Sequence, residues 1–162
     1  MKKLIASLTV VLLTLGSVGA VMATTDTSSL TVTALSVDKL SVDDATGISL
    51  DGTAGSNALT GADDTAASLR YTHNSSGTKK ITAEVTTDPA GDDITLTVAV
   101  QGGESAQEIC TAGTATIAKD VYKTLARGTI NNKTVTYSAA ATASGTVAGD
   151  YVFVVTFTSV DE

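Results

Sequence analysis

The chain has 162 residues and a formal net charge of −7, with 17 Asp and Glu residues against 10 Lys and Arg. This length suits a single domain with its own core, and the acidic balance disfavours binding to nucleic acid or to anionic lipid. One cysteine excludes a disulfide framework within the chain, and one histidine leaves too few ligands for a zinc site.

The first 23 residues have the three parts of a secretion signal. Lys2 and Lys3 form a positive beginning, and an apolar run follows over residues 4–15. Val21 and Ala23 are small residues that suit cleavage after Ala23. The run is shorter than the roughly 20 apolar residues of a membrane anchor. We therefore predict an exported protein, extracellular, at the cell surface or in the periplasm. It would have one domain over residues 24–162 and no membrane insertion after cleavage.

Apolar residues alternate with threonine and other polar residues along much of the chain. A period of two predicts strands with one buried face, and Thr and Val favour such pleated surfaces. The predicted strands lie at residues 30–34, 68–71, 81–86, 94–100, 134–139 and 151–157. Turn residues at 74–77 and 88–92, including Pro89, separate three of them. The pattern predicts an all-β fold, an immunoglobulin-like or Greek-key β-sandwich of about 7–8 strands.

Two regions depart from this pattern. Residues 43–66 are rich in Gly, Ala, Asp and Thr, and they predict a long surface loop with one short strand. In the second region, Ile117, Val121 and Leu125 fall at helical spacing, although a strand followed by one helical turn fits the same residues. We favour the latter, with one short helical turn near residues 119–126.

The last predicted strand is apolar on both faces. Tyr151, Phe153 and Phe157 share one face, which we assign to the core, while Val152 and Val154 occupy the other. A strand with two apolar faces is either covered on both sides or contacts a partner. We therefore predict assembly contacts at Val152 and Val154.

The segment that follows the predicted cleavage site contains a second candidate assembly surface. Leu30, Val32 and Ala34 alternate with threonines. One interpretation is an edge strand of the same domain. The other is a strand that adds to the open sheet edge of a neighbouring subunit, with Leu30 and Val32 filling its pockets.

The sequence gives little support to an enzymatic function. A serine nucleophile needs a base, but His73 is the only histidine, it adjoins a predicted turn, and no G-x-S-x-G motif is present. A single histidine beside a turn is typically exposed to solvent. We predict no catalytic residue and no enzymatic activity.

Three pairs of adjacent carboxylates and one thiol are the remaining reactive groups. The pairs, at 43–44, 63–64 and 92–93, do not follow the EF-hand spacing, so we interpret them as solvated turn residues and predict no metal or other cofactor. Cys110 is either a buried thiol or a reactive thiol that pairs with another chain.

Two stretches carry a resemblance to a known class of proteins. ASLRYTHNSSGTKKITAEVTTD (67–88) and SGTVAGDYVFVVTFT (144–158) resemble exported bacterial β-sandwich proteins of the fimbrial-subunit and spore coat protein U-like kind. The second stretch has their final strand, a G-x-Y followed by alternating Val and Thr. The resemblance implies a Greek-key or immunoglobulin-like sandwich in a surface subunit. The cysteine pairs of such families and their near-terminal Tyr are absent here.

These observations lead to two functional hypotheses. The first is a secreted or cell-surface structural subunit, fimbria-like or coat-like, that assembles by β-strand contacts with copies of itself or with other surface proteins. The alternative is a monomeric extracellular binding module or adhesin for carbohydrate or calcium.

Overall fold

The computed structural model describes residues 29–87 and 93–162, and these residues form eleven β-strands and no helix. The predicted signal peptide and the predicted turn at Pro89 lie outside the described residues. The strands are β1 (Asp38–Val42), β2 (Asp51–Gly52), β3 (Ala58–Thr60), β4 (Ser68–His73), β5 (Lys79–Thr87), β6 (Thr95–Val100), β7 (Gln107–Thr111), β8 (Thr114–Ala115), β9 (Lys119–Leu125), β10 (Gly128–Thr142) and β11 (Val154–Asp161). The all-β prediction is confirmed, and the predicted number of strands was too low because three strands have only two or three residues.

Two compact units divide the chain at residues 33 and 34. In the first unit, the described residues 29–33 form no strand, and Leu30 and Val32 are more than 80% exposed. The predicted strand at 30–34 is therefore wrong, because no neighbouring strand pairs with this segment. The second unit, residues 34–162, contains all eleven strands. Among the described residues, no helix has the length and apolar character needed to cross a membrane.

The strands form two antiparallel sheets. The larger sheet has the order β1-β4-β10-β6-β7-β8, with β3 also pairing β10 and β2 pairing β3. The smaller sheet has the order β11-β5-β9, so that β11 is an edge strand. The 15-residue strand β10 pairs with β4 over its first half and with β6 over its second half, which makes it the centre of the larger sheet.

Side chains from both sheets form one hydrophobic core. Leu69 and Val98 of the larger sheet and Ile81 of the smaller sheet are fully buried members of the same cluster. The alternation that predicted β4, β5, β6 and β10 corresponds to this burial, with every second residue inside. Two sheets that share one core are consistent with the predicted β-sandwich.

Strand β9 replaces the helical turn predicted near residues 119–126. Lys79 pairs with Leu125 and Ile81 pairs with Tyr122, so β9 contains one residue more than β5 over the same distance. Thr124 takes a positive φ of 53° within this bulge. The buried side chains of Val121 and Leu125 lie four positions apart, a spacing that fits one face of a strand as well as one face of a helix.

Candidate functional site: a groove beside strand β11

A groove of about 1140 Å³ lies beside β11. One wall consists of residues 146–155 and Phe157, and the other consists of residues 42–52. Side chains of the larger sheet, including Leu96 and Tyr137, also line it. The groove exceeds the roughly 300–1,000 Å³ of ordinary small-molecule sites, so its size suits an extended chain segment.

The wall next to β11 is apolar and only partly covered. Phe153 and Phe157 pack against the core, as predicted from their shared face, and so does Val155, but each remains half-exposed along the groove. Val152 and Val154, two of the predicted assembly contacts, also line it and are 70% and 46% exposed. Because β11 is the edge of its sheet, the groove combines an apolar wall with an unpaired strand edge.

The final strand begins later than predicted. β11 starts at Val154, and a register shift separates Val154 from Val155 in its pairing with β5. Tyr151 lies before the strand and donates its hydroxyl hydrogen to the carbonyl of Val147 at 2.7 Å. Val152, which lies before the strand, and Val154, its first residue, are both exposed and not covered by a second layer.

Asp64 holds the opposite wall in place. Its Oδ2 accepts hydrogen bonds from the backbone N–H of Thr46 and of Gly47, both at 2.6 Å, and from the Thr46 hydroxyl at 3.0 Å. Its Oδ1 accepts one from Ala66 N–H at 2.8 Å. Asp64 is only 5% exposed, so the prediction that the pair 63–64 is a solvated turn is wrong for its second member.

The electrostatics of this region follow from the same contacts. Hydrogen bonds from the N–H groups of Ala66 and Gly47 hold the pKa of Asp64 below its ordinary value. Burial, together with the nearby carboxylates of Asp64 and Asp44, raises the pKa of Tyr137 to about 12. Asp64 is therefore an anion at neutral pH, and Tyr137 keeps its proton.

The N-terminal segment of the described chain remains exposed. Residues 29–37 form no strand, and Leu30, Val32 and Leu35 are 86%, 82% and 79% exposed. Exposure of Leu30 and Val32 is what the predicted assembly contacts require. Exposed apolar side chains in such a row are typical of a surface that a partner covers.

His73 is buried rather than solvated, which corrects the sequence-based interpretation. Its Nε2–H donates to the carbonyl of Leu125 at 3.1 Å, and its Nδ1 lies 2.8 Å from the Ser75 hydroxyl. Its ring stacks on Tyr71 with centroids 5.4 Å apart. A pocket of about 290 Å³ that includes Arg127 adjoins these rings. Both ring nitrogens of His73 have partners, so the histidine ties β4 to the end of β9.

A cluster of charges joins β1, β5 and β11. Lys79 Nζ lies 3.2 Å from Asp38 Oδ2 and 2.8 Å from Asp161 Oδ1. Next to it, the hydroxyl groups of Tyr71 and Ser159 are 2.7 Å apart. These contacts link the edge strands of the two sheets and fix the position of β11.

The predicted thiol and two of the paired carboxylates, Asp43 and Asp93, occupy structural positions, while Asp92 lies outside the described residues. Cys110 is fully buried, and its Sγ–H donates to the carbonyl of Ile94 at 3.6 Å. This burial favours the first of the two roles considered for it. Asp43 forms a two-point ion pair with Arg70, at 2.9 and 3.0 Å, and Asp93 hydrogen-bonds the hydroxyl of Thr142. Within residues 29–87 and 93–162, no group of three or more His, Cys, Asp or Glu side chains could hold a metal ion.

No protein-family model, curated protein or solved structure was found that matches the chain. The groove and Asp64 were both missed by the sequence analysis. Sequence pattern alone gives no signal for the groove, because its two walls are about 100 residues apart in the chain. The one available signal for Asp64 was Thr46-Gly47, a pair of turn residues with backbone donors for a carboxylate.

Proposed function

We propose that this chain is an exported, non-enzymatic structural subunit of a cell surface, fimbria-like or coat-like, that assembles by β-strand contacts between copies. The observation that carries the proposal is the groove beside β11. There, the half-exposed side chains of Phe153, Val155 and Phe157 lie next to the edge of the smaller sheet. A strand added at this edge would satisfy backbone groups of β11 and cover the apolar wall.

The proposed occupant is the N-terminal segment, residues 29–34, of a second copy. Its six residues would extend about 20 Å as a strand. Leu30, Val32 and Ala34 would then project from one face, since alternate residues of a strand share a face. Their exposure supports this choice, because the segment has apolar side chains to bury and the groove has an apolar wall to cover.

The donor side can be tested with two matched double variants of the full chain. Leu30→Asp with Val32→Asp places charges on the face assigned to the groove, and Thr31→Asp with Thr33→Asp places the same charges on the opposite face. We expect the first variant to sediment as a monomer and the second to assemble like the unmodified chain. Assembly by the first variant, or a monomeric unmodified chain at high concentration, would contradict the proposal.

The acceptor side can be tested by complementation. Phe157→Ala removes part of the apolar wall, and circular dichroism would establish that the variant remains folded. We expect this variant and the Leu30→Asp, Val32→Asp variant each to be defective alone and to form a mixed dimer when combined, because one keeps its groove and the other keeps its segment. The absence of any mixed dimer would argue against exchange between copies. A monomer that binds glycans would instead favour the binding-module hypothesis.

A further inference from the structure

We infer that Asp64 sets the width of the groove by holding the loop of residues 44–50 as its second wall. Loss of the Asp64 contacts would let this 44–50 loop move outward and would expose more of the groove. The geometric argument concerns a single copy, and its meaning for assembly rests on the proposed function. Asp64 is thus a positioning residue for the groove, not one of its contact surfaces for a partner strand.

The first step is that Asp64 is itself fixed to the centre of the larger sheet. Its backbone N–H donates to the carbonyl of Tyr137 on β10, and the N–H of Tyr137 donates to the carbonyl of Asp64, both at 2.9 Å. The residue is 5% exposed. Because the backbone of Asp64 is fixed to β10, its carboxylate has little freedom to follow the loop when the loop moves.

The second step is that the 44–50 loop depends on this carboxylate. Between Asp43 and Asp51, the hydrogen bonds found among the described residues are the two from Thr46 and the one from Gly47, and all three end on Asp64 Oδ2. Residues 43–50 form no strand. Bonds from backbone N–H groups to an ionised carboxylate are stronger than neutral ones, so they can hold a loop that has no sheet pairing.

The third step is that the loop brings an apolar side chain to the core. Ile48 is half-buried and packs against the hydrophobic cluster. The loop crosses Gly61 so closely that a Cβ there would lie 2.4 Å from Ser49 O and 2.6 Å from Ile48 Cγ2. Release of the polar contacts at Thr46 and Gly47 would therefore also release Ile48 and uncover apolar surface.

Two independent variants test this inference, with one control. Asp64→Asn removes the charge and turns one acceptor atom into a donor. Gly47→Ala leaves the carboxylate intact but strains the loop, because Gly47 has a φ of +109°, which a residue with a Cβ adopts only at a cost. A Cβ at this position would meet no atom within 4 Å, so the variant adds backbone strain without a steric clash. Asp63→Asn is the control, since Asp63 is the exposed neighbour in the sequence.

Two measurements on the full chain, at a concentration low enough for monomers, give the result. We expect hydrogen–deuterium exchange at the backbone amides of positions 46 and 47, the two loop amides that donate to Asp64, to rise roughly tenfold in Asp64→Asn and in Gly47→Ala, while amides of β6 and β10 keep their protection. Binding of an anilinonaphthalene dye, which reports exposed apolar surface, should rise several-fold in both variants. Asp63→Asn should match the unmodified chain in both measurements.

Several outcomes would overturn the inference. Unchanged exchange in the loop would show that Asp64 does not hold it, and faster exchange without added dye binding would show that the loop does not set groove access. Equal effects in Asp63→Asn would reduce the result to a change in net charge. If Asp64→Asn unfolds, Gly47→Ala decides alone. If Asp64→Asn and Gly47→Ala open the groove but the unmodified chain never associates, the inference stands and the proposed function fails.

Discussion

Asn74 and Val37 hold each other by two reciprocal hydrogen bonds. The N–H of Asn74 donates to the carbonyl of Val37 at 3.1 Å, and the N–H of Val37 donates to Asn74 Oδ1 at 2.7 Å. Asn74 Nδ2 also donates to the carbonyl of Leu35 at 2.6 Å. Asn74 thus fixes the last residues before β1. If a partner bound residues 29–34, Asn74 would hold the donated segment to its own domain at Leu35 and Val37.

The first prediction concerns this contact. Asn74→Ala removes two side-chain hydrogen bonds from an exposed site, so we expect a loss of about 1 kcal/mol in the free energy of unfolding. Amide exchange at Val37 should become faster, because its acceptor is gone. Chemical denaturation and exchange would measure both effects. Asn131→Ala, at an exposed position on β10, is the control and should change neither.

The second prediction compares two core-facing side chains. Leu69 is fully buried, so Leu69→Ala should cost about 3–5 kcal/mol. Phe157 is only half-buried beside the groove, so in the monomer Phe157→Ala should cost less, about 2 kcal/mol, although more atoms are removed. Urea denaturation of dilute protein would give both values. An equal or larger cost for Phe157 would mean that the groove is closed in solution.

The third prediction concerns acid stability. Hydrogen bonds from Ala66 and Gly47 lower the pKa of Asp64, and those from Arg70 and Ser68 lower the pKa of Asp43, relative to an ordinary value of 3.8. Near and below this ordinary pKa the unfolded chain binds more protons than the folded chain, so the free energy of unfolding falls as pH falls. We expect nearly constant stability from pH 7 to pH 5 and a decline below about pH 4.

A variant assigns part of this decline to Asp64. Asp64→Asn should be less stable than the unmodified chain at neutral pH and should lose less stability between pH 4 and pH 2, because one titrating group is gone. Urea denaturation at several pH values would measure the slopes. A slope unchanged in Asp64→Asn, or reduced equally in Asp63→Asn, would assign the acid sensitivity to other carboxylates.

The sequence predicted the regular strands because their burial is local information. In β6, alternate residues from Leu96 to Val100 enter the core, and the period of two is visible in the letters. The same rule was wrong for residues 30–34. A period of two shows which face a strand would bury, but it does not show whether a sheet edge is available to pair with it.

Two other outcomes show where local pattern loses its meaning. In β9 the buried residues Val121 and Leu125 lie four positions apart, which is compatible with one face of a strand and with one face of a helix, so the spacing alone could not decide between them. Asp64 looked like a turn residue because its partners, Thr46 and Gly47, are 18 and 17 positions away. Contacts of that separation depend on how loops cross the sheet, and no composition or spacing encodes them directly.

The fourth prediction concerns Cys110. Its thiol is fully buried next to the carbonyl of Ile94, so a maleimide should label it much more slowly in the folded chain than in urea. Mass spectrometry over time would give both rates. Fast labelling of the folded chain, or a dimer that a reductant separates, would favour the reactive thiol considered from the sequence.

The last prediction uses the strained residue in β9. Thr124 is β-branched and has a φ of 53°, a conformation that costs such residues of order 1–3 kcal/mol. Glycine adopts it freely, at the expense of a more flexible unfolded chain. The contact from the backbone N–H of Thr124 to Glu162 Oε2, at 2.8 Å, survives the substitution. We therefore expect Thr124→Gly to stabilise the fold by about 0.5–1 kcal/mol.

Thr82→Gly, in the regular strand β5, should destabilise it by about 1 kcal/mol, because glycine is a poor strand residue. Thermal and urea denaturation of the two variants would test the opposite signs. A loss of stability in Thr124→Gly as large as that in Thr82→Gly would mean that β9 has no such bulge in solution.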